Sequence, residues 1–112
     1  AAAEGCYYTT HWLRDSPLPA SRAFVARYEA RHGEIRQTTV PLTYDAVLLW
    51  ADAVRRAGTA DRRAVRDALA ATRDFPGVTG SITFDASRNP AKPLAVNRME
   101  NLGVTLVKLV EP

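Results

Sequence analysis

Phe75-Pro76-Gly77-Val78-Thr79-Gly80-Ser81-Ile82-Thr83-Phe84-Asp85 is the stretch in which the chain changes its hydrophobic period. Before it, apolar residues recur at helical spacing. Past Pro76 and Gly77 they alternate, so Ser81 to Phe84 reads as a strand entered through Gly80. Helices upstream and strands downstream make the chain a mixture of both element types. The two glycines invite a phosphate-loop reading. Such a loop needs glycines that open a helix, so that free amides and the positive helix end face the anion. These glycines precede a strand, which rejects that reading.

Downstream, Asp85 to Pro90 is a turn, and Leu94 to Met99 and Val104 to Val110 are strands joined as a hairpin around Asn101 and Gly103. Upstream, the spacing predicts three helices. The last is capped by Thr59 or Asp61 and carries Val65, Ala68, Leu69 and Thr72 on its apolar side, with Arg62, Arg63 and Arg66 opposite. The middle one runs from Tyr44 to Ala57, capped by Thr43 and stopped by Gly58. Its Val47, Leu48, Leu49, Trp50, Ala51 and Val54 cover more than one face, which predicts a mostly buried helix. The first runs from about Pro19 to His32, with Phe24, Val25 and Tyr28 as its stripe and Gly33 as a left-handed cap. Glu34 to Leu42 is a long connection, and Cys6 to Thr10 is a short aromatic strand.

The chain has 112 residues, enough for one small domain, with 46% hydrophobic and 24% charged residues, an ordinary balance that excludes collagen-like, coiled-coil and disordered classes. No apolar run reaches the roughly eighteen residues of a membrane span. The net charge of +3 is no nucleic-acid footprint, because the arginines are spread from Arg14 to Arg98 among acids such as Asp52, Asp67 and Asp74. Ala1 to Glu4 lacks the basic and apolar regions of a signal peptide, so the protein is either cytoplasmic or begins after its export signal.

Candidate chemistry is sparse. His11 and His32 do not stand at metal-ligand spacing from each other or from Cys6, so no metal site and no cofactor is expected. Cys6 in a strand is expected to be a buried thiol. A Cys6–His11 nucleophile and base would lack both an orienting third group and an oxyanion hole, so no catalytic residue is assigned and the protein is not expected to be an enzyme. Trp12 and Trp50 could stack a ligand, but Trp50 on its apolar helix is expected in the core. Asp45 in the first turn of a helix is accounted for by the helix dipole.

Taken in order, these segments resemble the carboxy-terminal part of the branched-chain amino-acid (leucine, isoleucine, valine) binding proteins, the extracytoplasmic solute receptors of ABC transporters. The resemblance is carried by Glu4-Gly5 before the aromatic strand, by Phe24-Val25 with Tyr28 and Gly33, and by Leu42-Thr43-Tyr44-Asp45-Ala46 opening the long helix. It continues through Arg56-Ala57-Gly58, Val65-Arg66-Asp67-Ala68-Leu69 and Phe75 to Gly80, and ends with Ile82-Thr83-Phe84-Asp85, Arg88-Asn89-Pro90 and Lys92-Pro93. It implies a fragment of a type I periplasmic-binding-protein fold with Rossmann-like lobes, here three helices plus about four strands.

The same resemblance implies that residues 1–112 form a single carboxy-terminal piece of a two-lobed receptor. Residues 1–10 and 94–112 would be strands of the carboxy-terminal lobe, and 11–93 would complete the amino-terminal lobe, with hinge crossings at Thr10 and His11 and at Lys92 and Pro93. The groups that fix a ligand's amino and carboxylate ends would precede Ala1, leaving Thr38 and Thr39 as the candidate ligand contacts; loop threonines facing water are the equal alternative. Hydroxyls there disfavour a leucine-like ligand and suit a more polar or aromatic-acid solute. Implied partners are an amino acid or small carboxylate in the intact receptor and ABC permease subunits, in the periplasm or outside the cell, with a membrane anchor on the full-length protein. Alone, the piece is expected not to bind ligand and to self-associate, by exchanging strands across a dimer, because its edges and apolar faces lack cover. The alternative from another class is a free-standing interaction domain that uses the Tyr44 to Ala57 helix as its partner face.

Overall fold

The computed structural model describes residues 3–101 and 103–111. Six strands and three helices follow in the order β1 (Tyr7–Thr10), α1 (Pro19–His32), α2 (Thr39–Ala57), α3 (Arg62–Ala70), β2 (Phe75–Gly77), β3 (Gly80–Phe84), β4 (Pro90–Ala91), β5 (Leu94–Glu100) and β6 (Gly103–Val110). The three helices are those expected, and β2 and β4 add two short strands to the four read from the sequence.

The strands divide into two sheets. One has the order β1-β5-β6, antiparallel throughout, with Thr10 opposite Ala95 and Glu100 opposite Gly103. Asn101 at its hairpin tip has φ 53°, the left-handed conformation a two-residue turn requires, while Leu102 lies outside the described residues. The other sheet, β2-β3-β4, is a small meander that flanks the helices. The chain passes between the β1-β5-β6 sheet and the helical body twice, through residues 11–18 and through Lys92 and Pro93.

α2 begins at Thr39, five residues before its expected start at Tyr44. Thr38 takes the N-cap position without a side-chain cap bond, and Pro41 sits in the first turn. Proline is tolerated there because first-turn amides have no intrahelical acceptor to lose, so the helix starts within the segment expected to be a connection. At the far end Gly58 adopts φ 65° and ψ 12° and returns its amide to Val54 and Arg55 carbonyls. Gly33 after α1 has φ 79° but ψ −174°, so it closes the helix in a glycine-only extended conformation and not in the left-handed one expected. α3 is capped by the Asp61 carboxylate, which accepts from the amides of Arg63 and Ala64 at 3.1 and 3.0 Å. Arg56 ties α2 to α3: its guanidinium donates to the Ala68 carbonyl at 2.7 Å and to Thr72 Oγ1 at 2.8 Å while pairing with Asp52.

Trp12, Phe24, Ile35 and Val78 form the buried cluster, with Val25, Tyr28, Val40 and Tyr44 packed around it. On α2 only one stripe is covered, Pro41, Asp45, Leu49 and Ala53. Val47, Leu48 and Trp50 are exposed, Trp50 to 56%. The expectation of a mostly buried helix with Trp50 in the core is therefore corrected: α1 through Phe24 against Tyr44, α3, and the turn between β2 and β3 cover α2 in part, and Val47, Leu48 and Trp50 stay exposed. The radius of gyration is 16.0 Å, above the about 13 Å of a compact domain of this size, as befits two bodies joined by two crossings.

Candidate functional site

Asp45 is the residue that the sequence undervalued. It is 2% exposed on the covered stripe of α2, and its carboxylate is spent entirely inside the protein. Oδ1 accepts the Val78 amide at 2.8 Å; Oδ2 accepts the Thr79 amide at 2.9 Å and the Thr79 hydroxyl at 2.6 Å. A buried carboxylate is tolerable when donors replace its water, and the tight turn between β2 and β3 supplies two successive amides and a hydroxyl. The turn does cradle an anion, as a glycine-flanked turn can, but the anion is the protein's own. Gly77 makes the approach possible: a Cβ there would meet Asp45 Oδ2 at 2.7 Å and the Gly80 carbonyl at 2.9 Å. Helix-dipole stabilisation, the sequence-based account of Asp45, misses this role, and the only signal for it was the pairing of one acid on an apolar stripe with Gly-Val-Thr-Gly.

The second crossing rests on this turn. Lys92 Nζ donates to Thr79 Oγ1, so the hydroxyl accepts from lysine and donates to Asp45. Burial lowers the Lys92 ammonium below the ordinary lysine value, and the nearby Asp45 charge partly restores it. Pro93 lies over Gly80, where a Cβ would come within 2.9 Å of Pro93 Cδ. The first crossing is fixed by Trp12, whose indole Nε1 donates to the buried Ser21 hydroxyl at 2.7 Å; Trp12 is thus core and not a stacking platform. Beside it, Arg14 holds Glu29 through two bonds of 2.8 Å, and Glu29 also accepts the Ile35 amide at 3.1 Å.

The remaining sequence candidates fall in three places. Thr10 ends β1, His11, exposed, opens the first crossing, and Lys92 and Pro93 form the second. Thr38 and Thr39 are exposed at the start of α2, and Thr39 lines a shallow groove with Val40, Thr43, Tyr44, Val47 and Leu48. No side chain caps the first turn of α2, where the Val40 amide is bonded to the Gln37 carbonyl at 3.3 Å and Pro41 has no amide to give. Cys6 is exposed, contrary to the buried thiol expected, because it precedes β1 and only its backbone pairs, with Met99. Among the described residues no three acids, histidines or cysteines gather to hold a metal ion, and no helix is long and apolar enough to cross a membrane.

The leucine-binding protein LivK of Thermotoga maritima is 31% identical to this chain and superposes with a TM-score of 0.86 over 99% of this chain and 32% of its own. The branched-chain amino-acid transporter substrate-binding protein LivJ of Streptococcus pneumoniae, solved with isoleucine, is 33% identical with a TM-score of 0.81, over 95% of this chain and 30% of its own. A solute-binding protein of R. palustris, solved with benzoate, shares the fold at 23% identity and a TM-score of 0.82, over 99% of this chain and 31% of its own. The chain therefore spans about a third of the length of each of these structures. No curated protein sequence matches it. The model of the family described as periplasmic binding protein matches residues 1–101, nearly the whole chain, and the α/β architecture agrees with it. This chain belongs to the periplasmic binding protein family.

Proposed function

We propose that this chain is the carboxy-terminal part of an extracytoplasmic solute receptor for an ABC importer, and that the solute is a branched-chain or related amino acid or a small carboxylate. The observation that carries the reading is the likeness to LivK over 99% of the chain at 31% identity, which includes both crossings between the two bodies. In this reading residues 1–10 and 94–112 belong to one lobe and 11–93 to the other; Ala1, Ala2, Leu102 and Pro112 lie outside the described residues. Thr10, His11, Lys92 and Pro93 form the hinge. Thr38 and Thr39 meet the ligand. Their hydroxyls favour a solute with polar or carboxylate character over a purely aliphatic side chain. A receptor of this kind makes and breaks no bond: ligand contacts shared by both lobes favour the closed arrangement, and the closed pair of lobes is presented to the permease.

Titration calorimetry of the complete receptor with leucine, isoleucine, valine and benzoate tests the reading. A micromolar dissociation constant for at least one, weakened by Thr38→Ala with Thr39→Ala, is the expected result. Absence of heat with all four overturns it. The 112-residue chain alone is expected to show no such affinity.

A second reading, a free-standing interaction domain with α2 as its partner face, is favoured by the exposure of Val47, Leu48 and Trp50. Acrylamide quenching separates the two. The receptor reading covers Trp50 in the complete protein and predicts a shielded indole, whereas a partner face leaves it open to quencher.

A further inference from the structure

Two kinds of open surface stand on this chain, and charge tells them apart. Val47, Leu48 and Trp50 on α2 are an apolar patch of the sort that further polypeptide covers. Beside α3 lies a groove of about 540 Å3 lined by Arg66, Asp67, Leu69, Ala70, Phe84 and Arg88. Leu69 and Phe84 are half-buried and apolar, whereas both arginines are exposed. Covering this groove in a larger protein would strip water from guanidinium groups without an acid to replace it, so it stays at the surface.

Among the described residues Arg88 has no acid within ion-pair distance, and neither have Arg62 and Arg63. The acids of the same segment are mostly committed elsewhere. Asp61 caps α3, Asp74 accepts the Thr83 hydroxyl, and Asp85 accepts the Ser87 and Asn89 amides at 2.8 Å each. Asp67 alone answers a guanidinium, that of Arg66, at 2.7 and 2.8 Å. Both of those side chains are more than half exposed, so the pair is worth little and is easily exchanged. Arg62 stands one turn before Arg66 on α3 and extends the cationic row. Arg88 occupies a conformation with φ 69°, which glycine or asparagine would adopt at less cost, and its amide is bonded to the Asp85 carbonyl at 3.1 Å. A long cation is thereby set on an ordered turn beside an apolar groove.

We propose that this groove docks an acidic peptide segment of a partner protein. One aromatic or aliphatic side chain of the segment lies against Leu69 and Phe84, and carboxylates on either side of it meet Arg88 and Arg66. The charge of the rim selects an anionic partner, and the planar fork of arginine matches a carboxylate with two parallel bonds. A small carboxylate is the poorer fit: the groove is half open, so a lone molecule would keep much of its surface in water. A stretch of chain instead gains from several carboxylates along the row of arginines.

A fluorescein-labelled peptide with two glutamates on each side of a phenylalanine is the probe, titrated by anisotropy with the complete protein. Binding is expected, weakened at least about tenfold by Arg66→Gln with Arg88→Gln, and at least about threefold when alanine replaces the phenylalanine of the peptide. Arg22→Gln, which changes an exposed arginine of α1 outside the groove, leaves the affinity as it was. No binding, equal binding by the Arg66 and Arg88 variant, a dispensable phenylalanine, or an equal loss with Arg22→Gln overturns the assignment. So does adsorption to phosphatidylglycerol vesicles without affinity for the peptide, which would make the arginines a membrane-facing patch. Tighter binding of phenylacetate than of the peptide overturns it as well, because the groove would then be a small-molecule site. Arg66→Gln with Arg88→Gln leaves the calorimetry with leucine, isoleucine, valine and benzoate unchanged, so this groove and the receptor reading fail separately.

Discussion

Replacing Asp45 by asparagine changes almost no volume and tests whether the carboxylate organises the 77–80 turn. Three donors converge on it: the Val78 and Thr79 amides at 2.8 and 2.9 Å and the Thr79 hydroxyl at 2.6 Å. A carboxylate accepts all three. A carboxamide offers one accepting oxygen and turns its NH2 toward a donor, so at least one buried amide loses its partner. A buried unsatisfied donor costs about 1–3 kcal/mol, and the charged acceptor bonds that are lost add to this, offset by the easier burial of a neutral side chain. The net expectation is about 2 kcal/mol for Asp45→Asn and about 3 kcal/mol for Asp45→Ala, which also leaves a void. Against the roughly 5–15 kcal/mol that holds an ordinary domain folded, this is a large fraction. Urea denaturation followed by circular dichroism reads it as a lower midpoint at constant slope. A second readout is independent of stability. Without the Asp45 charge, Lys92 keeps its burial and loses its compensation, so its ammonium should titrate still lower, visible in the NMR shift of its terminal CH2. An Asp45→Asn midpoint indistinguishable from wild type, with Lys92 unmoved, would refute the account of this turn.

Gly80→Ala should destabilise by about 1–3 kcal/mol by calorimetric melting, because the residue has φ 116° and its Cβ would press on Pro93; wild-type stability would refute that close approach. Glu29 is held below the usual carboxylate range by its bonds from Arg14 and the Ile35 amide, so its contribution to stability is present above the unfolded value near 4.3 and is lost as pH falls through its lower folded value. Arg14→Gln should flatten that part of an acid-denaturation profile, and an identical profile counts against the pair. Iodoacetamide should alkylate Cys6 rapidly in the native chain, as its exposure requires, and slow modification would restore a buried thiol. Light scattering of the isolated chain should show at least a dimer, reduced by Trp50→Glu on the open face of α2, whereas a clean monomer at high concentration would refute self-association.

The elements were legible because their signals are local. Period, caps and turn residues placed α1, α3, β3 and the β5–β6 hairpin within a residue or two of where they stand, and of the two caps offered for α3, Thr59 and Asp61, it is Asp61 that serves. What was not legible depends on contacts distant along the chain. Asp45 meets Val78 and Thr79 across more than thirty positions, so nothing near it in sequence distinguishes a buried anchor from a solvated first-turn acid. Thr38 and Thr39 read as connection residues because Glu34 to Leu42 carries little periodicity, although a first-turn proline costs a helix nothing. The open side of α2 was visible in the sequence only as too much apolar surface, and which of its residues stay uncovered is settled by where α3 and the small meander happen to reach.

The Asp45 turn also explains why its residue types occur together. A strand pair joined by so short a turn leaves two adjacent amides without acceptors, and burying them beneath α2 requires acceptors on that helix, which the Asp45 carboxylate supplies. The anion requires a glycine at position 77, since any side chain would stand within 2.7 Å of it. Its negative charge in turn makes a half-buried lysine tolerable at position 92, and the lysine is what fastens the second crossing to the helical body. Each residue is thus a condition for the next, from helix to turn to crossing. A change at Asp45 should therefore loosen the hold on the second crossing as well as lower the stability of the fold.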